Sequence, residues 1–390
     1  MRFDLIVVGA GPAGLTAAIT AARTKKKVLV LDRASRPGAK LLLAGGGKGN
    51  VTNRRVAHTD YIGKNPAFAR NVLTRLAPEA VCEDLERAGI LLEERDHGRV
   101  FCRTSAKAIL DLLLNRLSEN TGRLVTEAAV DGVTMCDGTF SVSTSKGSFH
   151  APRLIAATGG PAWPQCGADD SGLRLARSLG HRIVPPRPIL VPLIMPPAWP
   201  MAGLAGVSLP VLIACGDSPV FDDDLLFTHK GISGPAALRV SAYWRKDLPL
   251  SINFLPACDV ESLLDAAKGK ATPQSVLSRL LPDRLAAVLP DKELATRRVA
   301  EISRGQRIAL AQAVHNHTVT PLRTEGFAKA EASAGGVETA EVTPSTLESR
   351  IVPGLFFCGE ILDIAGDLGG YNLHWAWSSG FVAGEAAGKH

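Results

Sequence analysis

No C-x-x-C pair occurs among the seven cysteines of this chain, Cys82, Cys102, Cys136, Cys166, Cys215, Cys258 and Cys358. An odd number of scattered thiols fits a reducing compartment and argues against a disulfide framework or a structural zinc site. No apolar run is long enough to span a bilayer. The N-terminus offers no signal-peptide core, because the apolar stretch Leu5 to Val8 is short and runs straight into a glycine loop. These absences predict a cytoplasmic protein with no membrane partner. No Ser-His-Asp arrangement, metal-ligand spacing or internal repeat is found, so no metal is expected. Basic runs are short: Lys25 to Lys27, Arg54 with Arg55, and Arg297 with Arg298. Each reads as solvated surface. The net charge of +6 and pI of about 9.0 leave a polyanionic partner open without requiring one, and no DNA partner is expected.

What is present is a globular composition, 46% hydrophobic and 21% charged, in 390 residues, which suits two or three packed units. Phe3 to Val8 (FDLIVV) is a nearly all-apolar run of the kind buried on both faces of a parallel sheet. Gly9-Ala-Gly11-Pro12-Ala13-Gly14 follows and fits G-x-G-x-x-G. The alanine- and leucine-rich stretch Leu15 to Ala22 suits a helix. A second apolar run, Val28 to Leu31, ends on Asp32. Gly9 lets the chain turn off the strand, Gly11 lets a pyrophosphate approach the backbone, and Gly14 lets helix and strand pack closely. The helix N-terminus points N–H groups at the phosphates, and Asp32 can accept hydrogen bonds from the ribose.

A dinucleotide is therefore expected, and the next segment selects FAD over NAD. Lys40-Leu-Leu-Leu-Ala-Gly45-Gly46-Gly47-Lys48-Gly49-Asn50-Val-Thr52-Asn53 lets backbone pass flat against a large ligand. Leu154 to Gly160, with Thr158 and Gly159, reads as a strand passing beside the adenosine. Gly354 to Glu360 reads as a strand ending in glycine and an acid. Gly369-Gly370-Tyr371-Asn372 then opens a helix through Ala383, whose N-terminus stabilises negative charge on a reduced flavin.

Residues 80 to 118 look helical, with an extended piece near Gly98 to Cys102 and Ser105 as an N-cap. Leu124 to Phe149 reads as a meander of strands. The prolines from Pro185 to Pro200 mark the crossing into a second unit. Ser233 is a candidate cap where the loop after Leu226 enters a helix. Val260 to Val314 reads as helical.

With these pieces in place the chain resembles the bacterial flavoprotein family called HI0933-like or YhiN-like. The resemblance rests on GAGPAG at Gly9 to Gly14, KLLLAGGGKGNVTN at Lys40 to Asn53, ATGG at Ala157 to Gly160 and LLFTHKGISGPA at Leu225 to Ala236. It rests also on SAGGV at Ser333 to Val337 and GLFFCGEILDIAGDLGGYNLHWAWSSG at Gly354 to Gly380. It implies an α/β fold: a Rossmann-like FAD-binding domain of the glutathione-reductase type, split by a β-barrel-like insert with a small helical subdomain. The boundaries are 1–190 and 338–390 for the FAD domain, 191–255 and 316–337 for the β-rich insert, and 256–315 for the helices. It implies that Lys40, Gly46, Asn50, Asp363 and Asn372 lie near the flavin. Arg33, Gly47, Thr52, Val130, Gly359, Glu360, Gly370 and Tyr371 complete the cofactor-binding candidates. Three departures suggest a divergent subgroup: Gly49 stands where the family has a cysteine, His374 where it has glutamine, and Cys166-Gly-Ala-Asp-Asp170 in an altered segment after ATGG.

A second G-x-G-x-x-G after a strand is missing, so NADH or NADPH is expected at most as a transient donor. Without a C-x-x-C, a dithiol relay is not expected. The candidate proton donors are His374, His229 and Tyr371, with His374 placed to titrate near neutral pH beside the flavin. Three functions stay open at this point. One is a reductase or dehydrogenase for a small organic substrate held between the FAD domain and the insert. Another is a flavoenzyme that reduces or alters an RNA base, favoured by the pI and a basic helical insert. The third is a non-catalytic FAD-binding protein.

Overall fold

The structure is a computed structural model that describes residues 1–120, 122–267 and 269–389. The chain divides into two units, Met1–Arg187 with Ala332–His390, and Pro188–Glu331.

The first unit is built on a five-stranded sheet. Strand β1 (Leu5–Val8) lies at its centre, between β2 (Val28–Leu31) and the strand Leu154–Ala156, with Arg123–Val125 and Leu355–Phe357 outermost. All four pairings are parallel, with Val8 opposite Leu31 and Ala156. Both faces of β1 and β2 are covered, which is why their sequences are continuous apolar runs. Helix α1 (Pro12–Ala22) packs against the terminal helix Tyr371–Lys389. Their approach is close because Gly380, Gly384 and Gly388 face α1. A Cβ on Gly384 would stand 2.3 Å from the Ala17 carbonyl oxygen. That helix runs past Ala383, where the sequence reading stopped it.

The expected meander is the antiparallel sheet Val130–Cys136, Thr139–Thr144 and Gly147–Ala151. Strand β3 (Asn50–Asn53) pairs with Arg99–Cys102, which pairs with Leu92–Arg95. Ser105 caps the helix Ala106–Glu119 by accepting from the Lys107 N–H. The proline run is only partly a linker. Pro185, Pro186 and Pro188 lie in the strand Ile183–Ile189, which among the described residues pairs only with Ala332–Val337, and proline is tolerated in such an edge strand. The chain re-enters the first unit at Ala332, so SAGGV lies there and not in the insert, in a fully buried strand.

The second unit carries a seven-stranded sheet with His317–Val319 and Arg323–Thr324 at its two ends; its pairings are antiparallel. The helices between Val260 and His315 do not form a core of their own. Leu264, Leu277 and Leu285 join Val211, Ile213, Leu250 and Ile252 of the sheet in one apolar cluster. Ser233 stands at the N-terminus of Gly234–Ser241, but its hydroxyl makes no capping bond.

Candidate functional site

The carboxyl ends of the parallel strands and the N-terminus of the terminal helix converge on one edge of the first unit, where open α/β sheets bind ligands. Gly9 leaves β1 at φ +107° and its N–H donates to the Leu31 carbonyl over 2.8 Å. A Cβ there would lie 2.4 Å from the Ala157 oxygen, and one on Gly14 would lie 1.9 Å from the Gly9 oxygen. Both glycines are demanded by packing. Gly11 differs, because a Cβ on it meets nothing within 4 Å. The space beside it is open, as a bound pyrophosphate needs. Gly11 caps α1 without a side-chain bond, Pro12 opens the helix, and no acid occupies the first turn. The N–H groups of the first turn and their partial positive charge are left for an anion.

Asp32 first holds its own loop. Its two oxygens accept from the Ala10 N–H (2.6 Å) and the Ala34 N–H (2.8 Å). Each oxygen keeps a lone pair for the expected ribose. Burial pushes its carboxyl above the usual range, and the two backbone bonds only partly oppose this. Arg33 is exposed and pairs with Asp169. Val130 begins its strand close by, since the Ala128 N–H donates to the Asp32 carbonyl.

The glycine-rich stretch forms a short helix Ala39–Leu43, a tight turn Ala44–Gly47 and then β3. A Cβ on Gly46 meets nothing, and one on Gly47 meets only the Leu42 oxygen at 3.7 Å. The Lys40 ammonium pairs with Glu360 at 2.5 Å, and the other Glu360 oxygen accepts from the Ser333 N–H (2.8 Å) and hydroxyl (2.6 Å). Gly359 touches Ala13 of the G-x-G-x-x-G stretch, since a Cβ there would be 2.8 Å from the Ala13 Cβ. Gly370 lies against β3, where a Cβ would stand 2.3 Å from the Thr52 oxygen and 2.9 Å from Asn50 Oδ1. Two buried polar atoms at this edge, Asn50 Oδ1 and Thr158 Oγ1, have no hydrogen-bond partner. Orphaned groups of this kind call for a ligand or water. A Cβ on Gly159 also meets open space. Open glycine backbone, a free helix N-terminus and two unsatisfied acceptors fit an extended dinucleotide such as FAD.

Other candidates are occupied by the protein itself. The Asn372 amide bonds both ways to Gly366, accepting from its N–H at 2.8 Å and donating to its carbonyl at 2.9 Å. Asp363 accepts from the Lys64 N–H (2.8 Å) and the Gly335 N–H (3.1 Å), tying three segments together. Tyr371 is buried, and its carbonyl accepts from the Tyr61 hydroxyl at 2.9 Å.

His374 does not titrate near neutral pH. It is fully buried, with Nδ1 2.9 Å from the Thr52 hydroxyl and Nε2 3.3 Å from the Ser378 hydroxyl. Burial pulls it down to about 4, so the ring is neutral and enclosed. His229 is exposed in a turn of the second unit. Cys166 is half-buried, and burial raises its thiol above the usual value, against the opposing charge of Lys40. Among the described residues no cluster of three metal-ligating side chains occurs, and no helix is long and apolar enough to cross a membrane. Sequence reasoning missed Ser333 as a site residue. Its signal is one hydroxyl within the otherwise small, apolar strand ASAGGV.

Comparison with known proteins shows the family and the fold. The model of the HI0933-like protein Rossmann domain matches residues 3–386. The ribosomal RNA dihydrouridine synthase of Escherichia coli is 36% identical over 395 residues, 98% of each chain. The enzyme of the same name from Haemophilus influenzae is 36% identical over 97% of this chain and 96% of its own. The 3-dehydro-bile acid delta(4,6)-reductase of Clostridium scindens is 33% identical over 98% of each chain. Among solved structures, a flavocytochrome c3 fumarate reductase in its open conformation superposes with TM-score 0.51 at 17% identity, over 100% of this chain and 78% of its own. A 3-ketosteroid-Δ4-(5α)-dehydrogenase from Rhodococcus jostii does so with TM-score 0.51 at 16% identity, over 100% and 97%. These two share the fold.

Proposed function

Since this chain belongs to the HI0933-like family, we propose that it is an FAD-dependent reductase of a carbon–carbon double bond conjugated to a carbonyl, with uracil rings of ribosomal RNA as the substrate class. The observation that carries the reading is the end-to-end similarity to two ribosomal RNA dihydrouridine synthases. Saturating a uracil ring and saturating a conjugated ketosteroid are one chemistry: a hydride enters at the carbon remote from the carbonyl and a proton at the near one. The bound flavin supplies the hydride. NADH or NADPH, docking transiently, is the proposed source of electrons.

The chain supplies position and charge. The loop Gly9 to Gly14 would take the pyrophosphate. Asp32, Arg33, Val130, Thr158 and Gly159 would flank the adenosine. Lys40, Gly46, Gly47, Asn50, Thr52, Gly359, Glu360, Asp363, Gly370, Tyr371 and Asn372 would shape the flavin side. The terminal helix has no acid in its first turn, which favours negative charge at its N-terminus. His374 is no proton donor in this reading, because it is neutral and enclosed.

A small conjugated ketone as substrate is the second reading, favoured by the coverage of the bile acid reductase. The visible spectrum of the anaerobic protein, titrated with NADH and then NADPH, separates the cases. Bleaching followed by recovery on adding ribosomal RNA supports the main reading. Recovery with a 3-keto-4-ene steroid and not with RNA supports the second. A spectrum that neither nucleotide bleaches overturns the nicotinamide donor.

A further inference from the structure

Charge is unevenly spread along the chain. Residues 23–75 hold thirteen Lys and Arg against two Asp and Glu, whereas the rest of the chain has five more acids than bases. The helical stretch expected to be basic, 256–315, holds nine bases against seven acids. Both acids of the first segment are engaged with backbone: Asp32 as described, and Asp60 with the Ala57 N–H at 2.8 Å. Six of the thirteen cations meet carboxylates from outside the segment, among them Lys48 with Glu93, Arg54 with Glu94 and Arg75 with Glu385. Arg23, Lys25, Lys27, Arg36, Arg55 and Arg70 are exposed and have no ion-pair partner among the described residues.

The segment that carries these cations runs along the terminal helix. Near its N-terminus Gly370 packs on Thr52 of β3, and Trp377 Nε1 donates to the Val51 carbonyl at 2.9 Å. Farther along, Arg75 pairs with Glu385, and at the far end the Thr24 hydroxyl donates to the Gly388 carbonyl at 3.2 Å. The helix is about 28 Å long at its usual rise per residue. Arg55, Arg70 and the group Arg23 to Lys27 therefore mark successive levels from the open glycine edge to the opposite end of the unit. In this segment Leu43 alone is a large exposed apolar side chain, so nothing there suits insertion into lipid.

We propose that this cationic band is the docking surface for an RNA phosphate backbone and leads the strand to the glycine-lined edge. The inference rests on the RNA reading above. Phosphates meet such a band nonspecifically, each contact releasing counterions, so binding must weaken steeply with salt.

The test measures binding of protein-free bacterial ribosomal RNA at graded salt. It uses the wild-type flavoprotein, an Arg23→Gln/Lys25→Gln/Lys27→Gln/Arg55→Gln/Arg70→Gln variant, and a Lys230→Gln/Lys270→Gln/Arg279→Gln control in the second unit. Flavin absorbance and melting temperature of each variant establish that it is folded and loaded. The expected result is at least about 100-fold weaker binding by the five-site variant near 100 mM salt, with a salt slope shallower by about three or more. The control should bind like wild type. A five-site variant that binds like wild type, or a control that loses the affinity instead, overturns the docking surface and leaves the RNA reading standing. Wild-type protein that binds no ribosomal RNA at low salt overturns the RNA reading itself.

Discussion

The three glycines of G-x-G-x-x-G do different work, and single substitutions should separate them. Gly11→Val places a Cβ where no atom beyond the neighbouring residues lies within 4 Å, so the variant should fold, melt like FAD-free wild type and purify colourless. A Gly11→Val protein that stays fully yellow would place the phosphate elsewhere. Gly14→Val must push against the Gly9 carbonyl and should lose stability whether or not FAD is added. His374 makes the second residue-scale prediction. Its folded value is depressed to about 4 from the ordinary 6.5, chiefly by burial. Stability from the neutral ring is complete above pH 6.5 and declines as pH falls towards 4, where the unfolded chain takes up the proton first. The loss is of the order of 3 kcal/mol. Denaturant unfolding of wild type and His374→Gln from pH 7 to 4 should show the flatter profile in the variant. Equal slopes would remove His374 as the cause, leaving the other buried histidine, His181, which burial also depresses. The sequence announced the motif glycines because their constraint is local. It misplaced His374 because the groups that enclose it, Thr52 above all, lie far away in the chain.

Elements were legible where periodicity and turns are local. The runs FDLIVV and VLVL, the meander and the Ser105 cap all read correctly from short-range signals. The strand role of the proline run did not, since proline is a break signal unless a sheet edge excuses it. The terminal helix was cut short because Gly384 and Gly388 weaken helix propensity. Tertiary packing overrides that preference, for these glycines allow α1 to approach. Gly384→Val should therefore destabilise by about 1–3 kcal/mol or more, despite its better propensity. A thermal melt showing a neutral or stabilised variant would mean that the two helices can part at no cost.

At the scale of the whole molecule, the chain builds two apolar clusters with no residue in common, one in each unit. The helical stretch looked separate in sequence because its period changes at Val260. It is not separate, because its leucines pack on strands that precede it. The candidate FAD site lies entirely in the first unit. Calorimetry should therefore resolve two transitions, of which excess FAD raises one and leaves the other in place, by mass action on the binding-competent state. A single transition that shifts as a block would show the two clusters to unfold together.

The first unit is assembled from both ends of the chain, with Leu355–Phe357 pairing beside Leu154–Ala156 and the terminal helix lying on α1. During synthesis on the ribosome, residues 188–331 emerge as one uninterrupted stretch and can fold while the nucleotide-binding sheet still lacks its outer strand and its longest helix. The half-built sheet must wait, with the apolar flank of α1 uncovered, until Leu355–Phe357 and Tyr371–Lys389 leave the exit tunnel. Cofactor capture then comes after the second unit has folded, and nascent chains stalled before Leu355 would be the species that chaperones hold.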